Sequence, residues 1–184
     1  MADQKYSRNK KTAENVDLSV GKMPPQALEL EEAVLGAMLL EKDAFTTVSE
    51  ILKPECFYKE AHQHIYSAIN NLFGKEQPVD MLTVTEELRR MGKLEEVGGA
   101  FYITQLTSRV ASAAHIEYHS RIIYQNFLRR EVIHLSGNFQ TNAYDDSVDV
   151  EDLLEEAENS LFMLSQGSMK RDATQINPVI SDAI

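Results

Sequence analysis

The amino-acid sequence predicts an all-α protein, a compact helical bundle followed by a long antiparallel helical hairpin. Three observations carry this. Apolar residues recur at three- and four-residue spacings from Leu28 onward, the period of helices that bury one face. No segment sustains period-two alternation between turn signals, so essentially no sheet is expected. Finally, a proline-free run from about Ser112 to Tyr144 is followed, after Asp145-Asp146-Ser147, by a second long apolar run. Two long helices joined by a few polar residues fold back on each other.

Residues 1–22 are polar, with Lys5, Arg8, Lys10, Lys11 and Lys22 and few large apolar side chains. Such a segment cannot offset its ordering entropy and is predicted to be a flexible tail. Pro24-Pro25 marks its boundary, because proline disfavours helix before it and tolerates a helix start after it.

A globular helical subdomain is predicted over residues 23–110. Its first helix carries Leu28, Leu30, Val34, Leu35, Met38 and Leu39, with Glu29, Glu31 and Glu32 in the first turn, where negative charge suits the helix dipole. A second helix covers Ala44 to Leu52 and stops before Pro54. A third runs from about Tyr58 to Phe73, burying Ile65, Ile69, Leu72 and Phe73, with Gly74 as its C-terminal cap. Thr83-Val84-Thr85-Glu86 reads as a capping box, so the fourth helix is expected to start at Thr83, turn Leu88 inward and end at Gly92. Gly98-Gly99 marks a turn before a short helix from Phe101 to Leu106.

Residues 111–166 form the predicted hairpin. Its first arm carries Ile116, Ile122, Ile123, Phe127, Val132, Ile133, Leu135 and Phe139. Asp149 caps the second arm, where Val150, Leu154, Ala157, Leu161 and Leu164 alternate at four- and three-residue steps, the spacing of a coiled-coil seam. Leu153, Phe162 and Met163 lie off that seam and suggest a second contact surface, either on the same chain's bundle or on another chain. The candidates for self-association or hairpin packing are therefore Ile123, Phe127, Leu153, Leu154, Ala157, Leu161, Phe162 and Leu164. Residues 167–184 begin with the polar SMKRDATQ, a predicted linker. Ile176, Val179, Ile180 and Ile184 then restart an apolar turn, with Asn177 and Pro178 at a helix-start position, expected to be the beginning of a truncated helix.

Composition narrows the function. The 184 residues include 43% hydrophobic side chains, enough for a sizeable core, and carry a formal net charge of -11. With 29 acids against 18 bases, the folded body is a poor candidate for wrapping nucleic acid through its overall charge. One cysteine, Cys56, precludes an intramolecular disulfide and reads as a small buried side chain. The N-terminus lacks a signal-peptide apolar core, and no apolar run approaches the ~20 residues of a membrane span. A cytoplasmic protein without a membrane segment is expected.

Catalytic patterns are missing. Gly21-Lys22, Gly74-Lys75 and Gly92-Lys93 lack both the preceding glycine and the following Ser or Thr of a phosphate-binding loop. His115 and His119 stand one helical turn apart, but Ile116 occupies the place of a zincin glutamate and no third ligand is near. His62 and His64 point to different sides of a helix. Glu155-Glu156 reads as solvated surface. No catalytic, metal or cofactor residue is assigned.

From Pro24 to about Arg130 the chain resembles the N-terminal domain of the DnaB family of replicative DNA helicases. The residues that carry this are Pro24-Pro25, Glu32-Ala33-Val34-Leu35-Gly36, Cys56-Phe57-Tyr58, His62 with His64-Ile65-Tyr66, Pro78-Val79-Asp80, and Gly92-Lys93-Leu94. Val97-Gly98-Gly99 with Tyr102, then Ser112-Ala113-Ala114 and Tyr118, complete the set. The resemblance implies a homo-oligomer, as dimers or as a trimer of dimers in a hexameric collar. It also implies docking of primase, influence on helicase-loading factors, and a linker helix beginning near Ile176. ATP, Mg and most DNA contacts are implied for a C-terminal motor domain outside this chain. The competing reading is the helicase-binding domain of a primase, which shares this kind of fold; the restarting apolar helix favours the helicase. A helix-turn-helix regulator lacks its short glycine turn and basic recognition helix.

Overall fold

The computed structural model describes residues 21–108 and 115–173. Among them are seven α-helices, a single 3-10 turn at Pro54–Cys56 and no strand. In chain order the helices are α1 (Leu28–Leu40), α2 (Ala44–Ile51), α3 (Glu60–Gly74), α4 (Met81–Arg90), α5 (Gly99–Ser108), α6 (Ile116–Ala143) and α7 (Val150–Ala173). The all-helical fold expected from the periodicity is the fold observed.

Helix α1 is central. It buries Glu31 and every residue from Val34 to Leu39 and packs against α2, α3, α5 and α6. A helix enclosed on all sides needs apolar residues all round instead of one stripe. Leu35 and Met38 meet Phe57, Ile65, Ile69, Leu88, Ile103 and Leu106 in one core, each of them essentially inaccessible to water. Ile123 of α6 joins that core, flanked by the buried Ser120 and Asn126. The first half of α6 therefore belongs to the bundle, although the sequence pattern assigned all of it to the hairpin. Only the part beyond about Arg130 projects as an arm.

Several boundaries differ from expectation for identifiable reasons. Helix α4 starts at Met81, not Thr83, because Asp80 is the cap. Its carboxylate accepts the N–H groups of Leu82 (2.8 Å) and Thr83 (2.9 Å), and Thr83 Oγ1 accepts the Asp80 N–H at 3.0 Å. Gly74 lies inside α3, and Glu76 takes the left-handed position with φ 56°. The Gln77 N–H reaches the Leu72 carbonyl and the Glu76 N–H the Phe73 carbonyl, the paired bonds of a Schellman ending. Gly92 (φ 70°) ends α4 in the same way, as expected. Helix α5 extends beyond Phe101–Leu106 at both ends, and α7 runs through Gly167 to Ala173, so the polar composition there does not interrupt the helix.

The hairpin turn is built by two aspartates. Asp145 accepts the N–H (2.9 Å) and the hydroxyl (2.6 Å) of Ser147. Asp149 caps α7 by accepting the Glu151 N–H at 2.8 Å, as its position predicted.

Candidate assembly surfaces

Helix α7 packs on α6, and no residue of α7 through Gln166 is fully buried. Its half-buried residues are Leu153, Ala157, Ser160 and Leu164, facing the half-buried Leu128, Leu135, Phe139 and Asn142 of α6. Met163 and Leu164 share a cleft with Tyr124, Phe127 and Leu128, which sets the arms antiparallel. The seam thus differs from the spacing-based one. Ala157 and Leu164 are in it, Leu153 joins them, and Val150, Leu154 and Leu161 are left out at 66%, 60% and 50% exposure.

At about 100° per residue, Val150, Leu154 and Leu161 fall in one arc beside the seam. The apolar stripe of α7 is therefore wider than α6 alone can cover. Phe162 (57% exposed) and Met163 (69%) lie further round, and α6 adds exposed Val132 and Ile133. Of the remaining candidates, Ile123 sits in the bundle core and Phe127 packs half-buried at its edge. The structure therefore divides the candidates, with Ile123, Phe127, Leu153, Ala157 and Leu164 packing within the chain while Leu154, Leu161 and Phe162 face outward. Ile176, Val179, Ile180 and Ile184 lie outside the described residues.

Two further depressions carry apolar surface. Pro25, Leu128, Arg129, Val132 and Ile133 line a shallow groove where the hairpin meets the start of the bundle. At the other end an open cleft of about 820 Å³ is lined by Leu39, Leu40, Phe73, Pro78 and Val79 among others. Arg130 fixes the hairpin to the bundle by donating to the carbonyls of Pro25 and Cys56.

The bundle also encloses a polar chain that the sequence reading did not foresee. His62 places Nδ1 2.6 Å from Glu31 Oε2 and Nε2 2.7 Å from the Tyr102 hydroxyl. The Tyr58 N–H donates to Glu31 Oε1 at 2.8 Å, and Lys59 Nζ donates to the Tyr102 hydroxyl at 3.0 Å. Glu31 and His62 are buried and tie α1, α3 and α5 together. One signal was present, since Glu31 falls on the same helical strip as Leu35 and Met38, an acid on an apolar face. Glu87 of α4 is a second enclosed acid. Hydrogen bonding to Arg90 lowers its carboxyl to about 2, against the opposing effect of burial, and Lys75 adds to the lowering.

His64 faces Glu60 and Glu96 on the opposite side of α3 from His62. His115 and His119 hold their ring centroids 6.3 Å apart. Among the described residues no group of three His, Cys, Asp or Glu is placed to hold a metal ion, and no helix is long and apolar enough to cross a membrane.

The described residues thus form an all-helical bundle from which a hairpin with exposed apolar residues projects. Residues 23–125 match the family model described as the DnaB-like helicase N terminal domain. The chain is 48% identical over 164 residues to the replicative DNA helicase DnaB of Rhodothermus marinus, an alignment covering 89% of this chain and 17% of that protein. It is also similar to the crystal structure of the N-terminal domain of DnaB helicase from Mycobacterium tuberculosis, with 38% identity and a TM-score of 0.73 over 76% of this chain and 99% of that one. A third likeness is to a DnaB-like replicative helicase whose structure was described with its interactions with primase. There the identity is 29% and the TM-score 0.62, over 75% of this chain and 31% of that one. This chain belongs to the DnaB-like helicase N-terminal domain family. It spans between 16% and 37% of the length of the replicative helicases it matches.

Proposed function

We propose that this chain is the assembly and primase-docking part of an ATP-dependent, hexameric replicative DNA helicase acting in the cytoplasm. The observation that carries the reading is the exposed stripe of Val150, Leu154 and Leu161 on a helix that, among the described residues, packs chiefly against α6. Several large apolar side chains exposed together on one projecting arm are costly in water and mark a surface that a neighbour covers. Pairing of two copies through their hairpins buries this stripe, and three such pairs make a collar. A linker helix from Ile176 leads to the motor domain, which binds ATP and Mg and makes most DNA contacts. Helicase-loading factors respond to the state of the collar.

Primase docks on the assembled collar. The test is to mix the chain with the primase of its own organism and follow co-migration by light scattering. A complex of defined stoichiometry is expected. Independent migration of the two proteins at high micromolar concentration would refute the docking role.

A further inference from the structure

The polar chain of the bundle holds three side chains in the order that activates a nucleophile. Glu31 Oε2 lies 2.6 Å from His62 Nδ1, and His62 Nε2 lies 2.7 Å from the Tyr102 hydroxyl. A carboxylate that orients an imidazole, whose other nitrogen faces a hydroxyl, is the relation through which a general base takes the proton of a weak nucleophile. Glu31 also accepts the Tyr58 N–H at 2.8 Å, which fixes its carboxylate, and both Glu31 and His62 are shut off from water. With Glu31 accepting from Nδ1–H, the neutral imidazole presents its Nε2 lone pair to the phenol.

The other end of this chain meets the surface. Tyr102 is half-buried, and Lys59, which donates to its hydroxyl at 3.0 Å, is exposed. The Lys59 ammonium is also 4.3 Å from the Tyr102 ring centroid, placed to stabilise negative charge that develops as the phenol loses its proton. Gly98 makes this seat possible, because at φ 96° a Cβ there would stand 3.2 Å from the Tyr102 Cβ. Glu32 Oε1 lies 3.1 Å from the same hydroxyl, further than His62 Nε2. Its charge repels an anionic group arriving at the oxygen and leaves an uncharged carbonyl carbon unopposed.

We propose that Tyr102 is a nucleophilic tyrosine, with His62 as its general base, that accepts an acyl group from an activated, uncharged donor such as a thioester or an acyl-azole. The phenolic oxygen bonds to the acyl carbon, and the bond to the leaving group breaks with its electron pair. The phenol proton passes to His62 Nε2 and from there to the leaving group, so an aryl ester and a protonated thiol or azole result. The site uses α1, α3, α5 and Lys59 and no residue of α7, and it stands independently of the assembly role.

Acetylation of the full chain with N-acetylimidazole, followed by mass spectrometry, tests this. Tyr118 and Tyr144, at 65% and 66% exposure, are the internal references. Tyr102 is expected to gain hydroxylamine-labile acetyl at least about tenfold faster than either, despite its lower exposure. K59M should slow Tyr102 several-fold without changing Tyr118 or Tyr144. H62Q, judged folded by circular dichroism, should bring Tyr102 down to the reference rate or below it. Labelling of Tyr102 in the parent chain at or below the rate of Tyr118 and Tyr144 would overturn the proposal. So would acetyl confined to Lys59, resistant to hydroxylamine and unchanged in Y102F.

Discussion

Arg130 Nη2 donates to the Cys56 carbonyl at 2.7 Å, joining the hairpin's first arm to the 3-10 turn of the bundle. The same guanidinium reaches the Pro25 carbonyl at 2.9 Å through Nη1 and lies against the rings of Tyr58 and Phe127. One planar fork thus holds the chain's entrance, the turn and α6 together, and a lysine cannot span both carbonyls. R130A is expected to lower stability by about 1–3 kcal/mol in urea unfolding. R130K should recover only part of this, with faster amide exchange in α6 beyond Arg130. Equal stability of R130K and the parent would contradict the clamp.

The buried Glu31–His62 contact leads to a second expectation. Removing the imidazole leaves a carboxylate in the core with the Tyr58 and Lys59 amides as its remaining donors. H62A is expected to cost about 3 kcal/mol or more, as for other buried pairs broken from one side. Y102F, which removes one hydroxyl, should cost about 1 kcal/mol. In a double-mutant cycle H62A and E31Q should be strongly non-additive. Additive losses would mean that the two side chains act independently.

Glu87 sets an acid limb. Its folded carboxyl is held at about 2 against an ordinary value of 4.5, chiefly by Arg90. The unfolded state therefore binds the proton first, so the contribution is complete above about pH 4.5 and is lost as pH falls towards 2. E87Q should lower stability at neutral pH and flatten the pH dependence of the melting temperature across that window. An unchanged slope would remove Glu87 as its source.

Glu76 offers a gain. An L-residue at φ 56° carries a steric cost that glycine avoids. E76G should stabilise the chain by up to about 1 kcal/mol, while G74A, which meets no atom within 4 Å inside α3, should be neutral or mildly stabilising. Destabilisation by E76G in thermal unfolding would show that the Glu76 side chain matters more than its backbone.

These sites also show where a sequence can be read and where it cannot. Periodicity located the seven helices of the described residues, because α1 to α6 present apolar residues to one core and α7 presents a stripe to α6. Capping chemistry placed the start of α7 at Asp149 and the end of α4 at Gly92, since both signals are local. It failed at Asp80, where two plausible caps lie three residues apart, and at Gly74, where the left-handed turn fell on Glu76 instead. The seam of α7 was misplaced by one arc because its stripe is broader than a single partner, and spacing does not reveal which edge the partner covers. Glu31 and His62 are 31 residues apart, so their meeting follows from how α1 and α3 pack. The candidate packing and self-association residues were legible as a set of apolar positions, but not as an inward and an outward subset.

The outward subset provides the most direct test. Leu154 and Leu161 are exposed in the single chain, so L154E/L161E should leave the hairpin and its helicity intact. Sedimentation equilibrium of the parent chain is expected to show dimers or larger species, and that of L154E/L161E monomers with an unchanged circular dichroism spectrum. A parent chain that stays strictly monomeric at high concentration would contradict the assembly role.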